Sequence, residues 1–163
     1  RIYNTSCLKE CKAILSNTPR LVGIDGKAKA SKSLGNAISL SDTQEEVKQK
    51  IFQMFTDPNH IKITDPGCVE GNVVFTYLDI FHHDKEEVKS LKAHYERGGL
   101  GDVTIKNILN NSIQDLLKPI RAKRETINSK DIKEILHQGT NKTHQLAKLT
   151  MEQVRDAIGV KYF

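Results

Sequence analysis

From Asn72 onward the apolar residues of this chain recur every three or four positions, a spacing that admits one kind of local structure: helices that each bury one face. Val73, Val74, Tyr77, Leu78, Ile80 and Phe81 are dense enough to predict a mostly buried helix over 72–81. Asp84 is placed to cap a second helix, in which Val88, Leu91 and Tyr95 mark the inner side. Gly98-Gly99-Leu100-Gly101 stops it, and Asp102 is placed to cap a long helix reaching about Asn128. The stripe of that helix is Ile105, Leu109, Ile113, Leu116, Leu117, Ile120 and Ile127. Pro119 removes one helical hydrogen bond, which predicts a bend near 115–117 rather than a break. Ser129 caps a further helix with Ile132, Ile135 and Leu136. After Gly139 a last helix carries Leu146, Leu149, Val154 and Ile158.

The part before Asn72 reads differently. Residues 1–19 are mixed, with a short helix expected around Leu8 to Leu15. Leu21, Val22 and Ile24 make a brief β-favouring run that ends at the turn dipeptide Asp25-Gly26, so a strand edge should lead into a loop. The loop from Gly26 to Ala37 is rich in Gly, Lys, Ser and Ala, has little to bury, and is expected to be mobile. Ser41-Asp42 reads as an N-cap followed by Gln44, Glu45 and Glu46 at the positive end of the helix dipole; Val47, Ile51 and Phe55 then predict a helix over 43–55. Asp57-Pro58-Asn59 and Asp65-Pro66-Gly67 bracket 60–64 and place a hinge between two structural units.

At 163 residues the chain has room for one ordinary domain, or a small domain joined to a fragment of another. It begins with Arg1 rather than Met and shows no signal pattern, which suits a trimmed fragment better than an exported precursor. No apolar run approaches the roughly 18 residues that cross a bilayer, so no membrane role is expected. Three cysteines are too few for a disulfide scaffold and suit free thiols in a reducing cytoplasm. Cys7 and Cys11 stand one helical turn apart, but no second Cys or His pair completes a metal site, and none is expected. The net charge of +5 favours an anionic partner. The charge has two foci, Lys27, Lys29 and Lys32 in the loop and Lys118, Arg121, Lys123 and Arg124 in the long helix, so two phosphate contacts are expected. An i to i+4 pair of Arg121 with Glu125 is also available.

The chemistry is concentrated in Lys29-Ala30-Ser31-Lys32-Ser33-Leu34-Gly35-Asn36. Two ammonium groups three positions apart can meet charge spread over a phosphate and its leaving group, with Ser hydroxyls and backbone amides as further donors. Taken alone, the same five residues also serve as a solvated basic loop. Flanked by Pro19-Arg20-Leu21-Val22-Gly23-Ile24-Asp25-Gly26 and by Leu34-Gly35-Asn36-Ala37-Ile38, they resemble the KMSKS signature of class I aminoacyl-tRNA synthetases. Thr56-Asp57-Pro58, Asp65-Pro66-Gly67, Gly98 to Asp102 with Lys106, and Pro119 to Arg124 follow in the order of landmarks in the bacterial tryptophanyl-tRNA synthetase family.

That resemblance implies a mainly α fold: a helical bundle preceded by the end of a Rossmann-like class I catalytic domain. It divides the chain into 1–40 with the KMSKS loop, a linking segment 41–67, and an anticodon-binding domain 68–163. It implies ATP-dependent activation of tryptophan and transfer to tRNA(Trp), with Mg2+ accompanying ATP. Lys32 would meet the developing phosphate charge, Lys29 would assist, and Ser31 and Ser33 would shape the ATP-binding loop together with Ala30, which stands where Met is usual. The HIGH signature and the tryptophan pocket are absent. His60, His82, His83, His94, His137 and His144 all follow the loop and read as surface or structural residues. Adenylation by this chain alone is therefore not expected. The homodimer belongs to the full enzyme, which leaves the fragment free to be monomeric. The alternative is a free-standing helical RNA-binding module without catalysis.

Overall fold

The structure, a computed structural model, describes residues 7–160. It contains α1 (Gln44–Phe52), α2 (Val73–Phe81), α3 (Lys85–Arg97), α4 (Asp102–Glu125) and α5 (Ser129–Ala157). Among the described residues there is no strand, only a single antiparallel bridge between Val22 and Lys29 where the β-favouring run was expected. The mainly α reading therefore holds. The chain divides into two compact units, Ser16–Arg124 and a second made of the segments before and after it. The first of these runs through residues 40 and 67.

The core of Ser16–Arg124 is built from most of the apolar positions anticipated above, although Leu116 and Ile120 of the expected α4 stripe are exposed. Val47 and Ile51 of α1, Val73, Val74, Phe75, Tyr77 and Leu78 of α2, Val88 and Tyr95 of α3, and Ile105, Leu109, Ile113 and Leu117 of α4 are all buried, and Ile24 joins them from the loop region. Phe55 stands outside α1 and is exposed, but its backbone joins three segments. Its amide donates to the Ile24 carbonyl at 3.0 Å and its carbonyl accepts from Val73 at 3.2 Å.

Asn72 caps α2 through Val74, and Asp84 caps α3 by accepting from Glu86 and Glu87. At α1 the cap is Thr43, which shares a reciprocal capping box with Glu46; Ser41 and Asp42 do not cap, because their side chains are engaged in the preceding turn. Asp102 does not cap α4 either. Its carboxylate accepts from Thr56 at 2.7 Å and from the Tyr95 hydroxyl at 2.8 Å, while the first turn closes on the Gly101 carbonyl. The Tyr95 phenol is pushed well above its ordinary pKa by burial and by this carboxylate. Gly98, at φ +83°, ends α3 where a Cβ would lie 2.3 Å from the Thr64 carbonyl oxygen.

Three further expectations are corrected. Residues 8–15 are not helical: Leu8, Ile14 and Leu15 are exposed and make no periodic face. Asn128, not Ser129, caps α5 through Lys130 and Asp131. Gly139 does not divide that helix, which runs unbroken for 29 residues, because a glycine costs a helix interior only ~1 kcal/mol relative to alanine. Pro119 lies inside α4, which continues past it to Glu125. None of the residues of α5 is buried: Ile132, Ile135, Leu136, Leu146 and Leu149 are all exposed.

Candidate functional site

The signature loop is a closed turn whose lysines point out and whose base is fastened inward. The Val22–Lys29 bridge is flanked by bonds from the Gly23 amide to Ala28 at 2.7 Å and from the Ala30 amide to Leu21 at 2.9 Å. The Ile24 amide then donates to the Asn36 carbonyl at 2.9 Å, bringing the end of the loop back to its beginning.

Asn36 is the organising side chain, and it is buried at 4 % exposure. Its Oδ1 accepts from the Ser31 amide at 2.8 Å; its Nδ2 donates to Asp25 Oδ1 at 3.2 Å and to the Lys29 carbonyl at 3.3 Å. Both of its donors and one acceptor position are directed at the loop's own backbone and at Asp25. This corrects the expectation of a loop with little to bury. Gly23 makes the arrangement possible, since a Cβ there would sit 2.2 Å from Asn36 Nδ2. Local desolvation works against ionisation of the exposed Asp25, but the Lys27 amide, Asn36 and the Ala28 amide outweigh it and hold the carboxyl below its ordinary value.

Lys29 and Lys32 are exposed, and among the described residues neither is held in an ion pair. Ser31 and Ser33 face each other, Oγ to Oγ at 2.9 Å, across the turn that Gly35 closes at φ +66° on the Lys32 carbonyl. The two lysines expected to meet phosphate and the two serines expected to shape the loop therefore share one short turn. Two ammonium groups free of internal partners, beside two hydroxyls, can receive a polyphosphate without first breaking a bond.

Ala30, half-buried, lines an apolar cavity of about 90 Å³ with Leu21, Ile38, Tyr77, Phe81, Ile113 and Leu117 among its walls. Beside it the Tyr77 hydroxyl donates to the Val22 carbonyl at 2.7 Å. Burial, and next the charge of Asp25, push the Tyr77 phenol up to about 12.

The second basic focus is less open than its composition implies. Lys118 and Arg124 are exposed, but Arg121 is turned inward, donating from Nε to the Asp42 carbonyl at 3.1 Å and from Nη1 to Gln114 at 2.8 Å. Those two bonds, rather than one to Glu125, engage its guanidinium. Lys106 reaches from α4 to the Phe52 carbonyl at the end of α1, at 2.9 Å, and burial lowers its pKa against the opposing charge of Asp102. His82 is buried between Ser112 and Glu87, and His60 lies against Tyr95; both have structural surroundings. Among the described residues no group of three or more His, Cys, Asp or Glu is placed to hold a metal ion, and no helix is long and apolar enough to cross a membrane.

Asn36 and Lys50 (α1) are the residues that sequence reasoning left without a role. For Asn36 a signal existed, an amide side chain directly after a turn glycine, where Asn commonly bonds local backbone. Lys50, described further below, had none, since its partners are 8 and 13 residues away.

A helical body carrying a short basic loop with two outward lysines is the class of architecture in view. The family model for tRNA synthetases class I (W and Y) matches residues 1–118, and the chain belongs to that family. It is 52% identical over 167 residues to the tryptophan–tRNA ligase of Clostridium longisporum, covering 99% of this chain and 49% of that protein. It is 44% identical over 168 residues to the tryptophan–tRNA ligase of Streptococcus mutans serotype c, with the same coverage. Among solved structures, the tryptophanyl-tRNA synthetase of Campylobacter jejuni, complexed with ADP and tryptophane, superposes with a TM-score of 0.72 at 31% identity, over 86% of this chain and 43% of that one. The chain spans about half the length of the curated relatives it matches.

Proposed function

We propose that this chain is the part of a tryptophan–tRNA ligase that contributes the ATP-phosphate loop and the tRNA-binding helices. The observation that carries the reading is the loop itself: exposed Lys29 and Lys32, with Ser31 and Ser33 between and beside them, on a turn whose base is fixed by Asn36. Membership of the class I W and Y family supports it.

In the reaction, a carboxylate oxygen of tryptophan bonds to the α-phosphorus of ATP. The bond from that phosphorus to the bridging oxygen breaks, and pyrophosphate leaves with the electron pair. Negative charge grows on the departing phosphates, where Lys32 acts directly and Lys29 assists. The serine hydroxyls hold the turn. Magnesium enters with ATP as part of the substrate. The adenylate then gives its tryptophanyl group to tRNA(Trp), engaged by the helices of 68–163. In this reading residues 1–40 end the catalytic domain and 41–67 link it to the helices, a division by role rather than by packing. The whole enzyme works as a cytoplasmic homodimer, and this chain alone does not adenylate.

The test is tryptophan-dependent ATP–pyrophosphate exchange in a chimera in which this chain replaces its counterpart in the Clostridium longisporum relative. The chimera should exchange, this chain alone should not, and Lys32→Ala should lower the rate by about 10²- to 10³-fold, the usual cost of removing a charge-stabilising donor. A chimera whose exchange is unaffected by Lys32→Ala would refute the assignment.

A further inference from the structure

Besides the fastenings at its base, the loop is held at Asn36, within its signature, and at a second place beyond it. The second is the six-residue bend, 37–42, that follows it. Lys50 Nζ, on α1, donates to the Ala37 carbonyl at 3.0 Å and to Asp42 Oδ2 at 2.6 Å, so one ammonium group ties the start of the bend to its end. The same Asp42 oxygen accepts from the Ser39 amide at 2.7 Å, and the Asp42 amide donates to the Ser39 carbonyl at 3.1 Å. From the other side, Arg121 of α4 donates to the Asp42 carbonyl, and Gln114 joins Arg121 to the Gln44 carbonyl at the start of α1.

We propose that Lys50 is a positioning residue for the loop: by closing residues 37–42 on α1, it sets where the chain leaves Asn36 and so where Lys29 and Lys32 stand. Arg121 anchors the same bend to α4. This rests on the phosphate-loop reading above. A partly exposed Lys–Asp pair contributes little to stability, whereas fixing both ends of a short bend has a large effect on the placement of the groups attached to it. Lysine suits the task because its ammonium carries three donors on a flexible stem and can serve a carbonyl and a carboxylate together. Arginine carries the same charge and enough donors for both acceptors, so it can replace lysine here; methionine keeps the stem and loses both bonds.

The experiment compares Lys50→Met and Lys50→Arg in the chimera by pyrophosphate exchange, resolving kcat from KM. A misplacement of about 1 Å can cost about 10²-fold in rate, so Lys50→Met should lower kcat by roughly 10- to 100-fold. The KM for tryptophan should stay within about twofold, and Lys50→Arg should recover most of the loss. Thermal melting of both variants accompanies the kinetics. An unchanged kcat in Lys50→Met, a loss that Lys50→Arg does not recover, or a loss matched by a falling folded fraction would overturn the proposal. An unsubstituted chimera without tryptophan-dependent exchange would overturn the functional reading, and the proposal with it; an active chimera indifferent to Lys50→Met would overturn the proposal alone.

Discussion

Replacing Ala30 by methionine should stabilise the Ser16–Arg124 unit, because the partly open cavity beside Ala30 is apolar, walled by α2, α4 and residues 37–40, and about 90 Å³ in volume. Methionine adds three non-hydrogen atoms beyond Cβ on an unbranched stem that adapts to irregular gaps. Filling such a space at about 24 cal/mol per Å³ of cavity is worth about 2 kcal/mol. Ordering the longer side chain returns up to about 1.5 kcal/mol of that as lost rotamer freedom. The net gain is therefore about 0.5 to 2 kcal/mol, which at about 4 °C per kcal/mol for a unit of this size raises Tm by about 2 to 8 °C. Thermal denaturation followed by circular dichroism reads it directly. Ala30→Gln provides the control, since it extends the side chain equally but brings an amide into a space with few polar partners. If Ala30→Met leaves Tm unchanged or lowers it, or if Ala30→Gln raises it as much, apolar filling of this cavity is the wrong description.

Two shorter expectations follow from the same structure. Tyr77 has a folded pKa raised to about 12 against an ordinary value near 10, so its contribution is complete below pH 10 and is lost as pH climbs through 12; part of the phenolate absorbance should appear only near pH 12, and Tyr77→Phe should remove that part while leaving the still later one of Tyr95. In α5, Gly139 has helical backbone and nothing within 4 Å of a built Cβ, so Gly139→Ala should stabilise that helix by about 0.8 to 1 kcal/mol, seen as a higher melting point of its helical signal.

Where the sequence carried its own pattern, the fold was legible. The stripes of α1 to α4 are local signals, and Val47, Ile51, Val88, Ile105 and Leu109 are buried as their spacing required. Asp84 was legible as a cap because capping is settled within three residues. Asp102 was misread because its partners, Thr56 and Tyr95, are brought in by tertiary packing and outcompete the local amides. Gly139 was misread because a single glycine punctuates a sequence more strongly than it destabilises a helix. At the candidate site, Lys29, Ser31, Lys32 and Ser33 could be read because residue type and spacing carry the chemistry. The inward pull of Asn36 and the reach of Lys50 across to Ala37 depend on a chain path that no spacing encodes.

The joint at Phe55 bears on motion. Its amide holds Ile24 at the base of the loop and its carbonyl holds the start of α2, while Tyr77 grips Val22. Each of these fastenings lies inside Ser16–Arg124. In kinematic terms the base of the loop is bolted to the helical body at Ile24 and Val22. On the phosphate-loop reading, a swing of that body carries the base of the loop with it, so the approach of Lys29 and Lys32 to a phosphate is tied to the helices as well as to the loop.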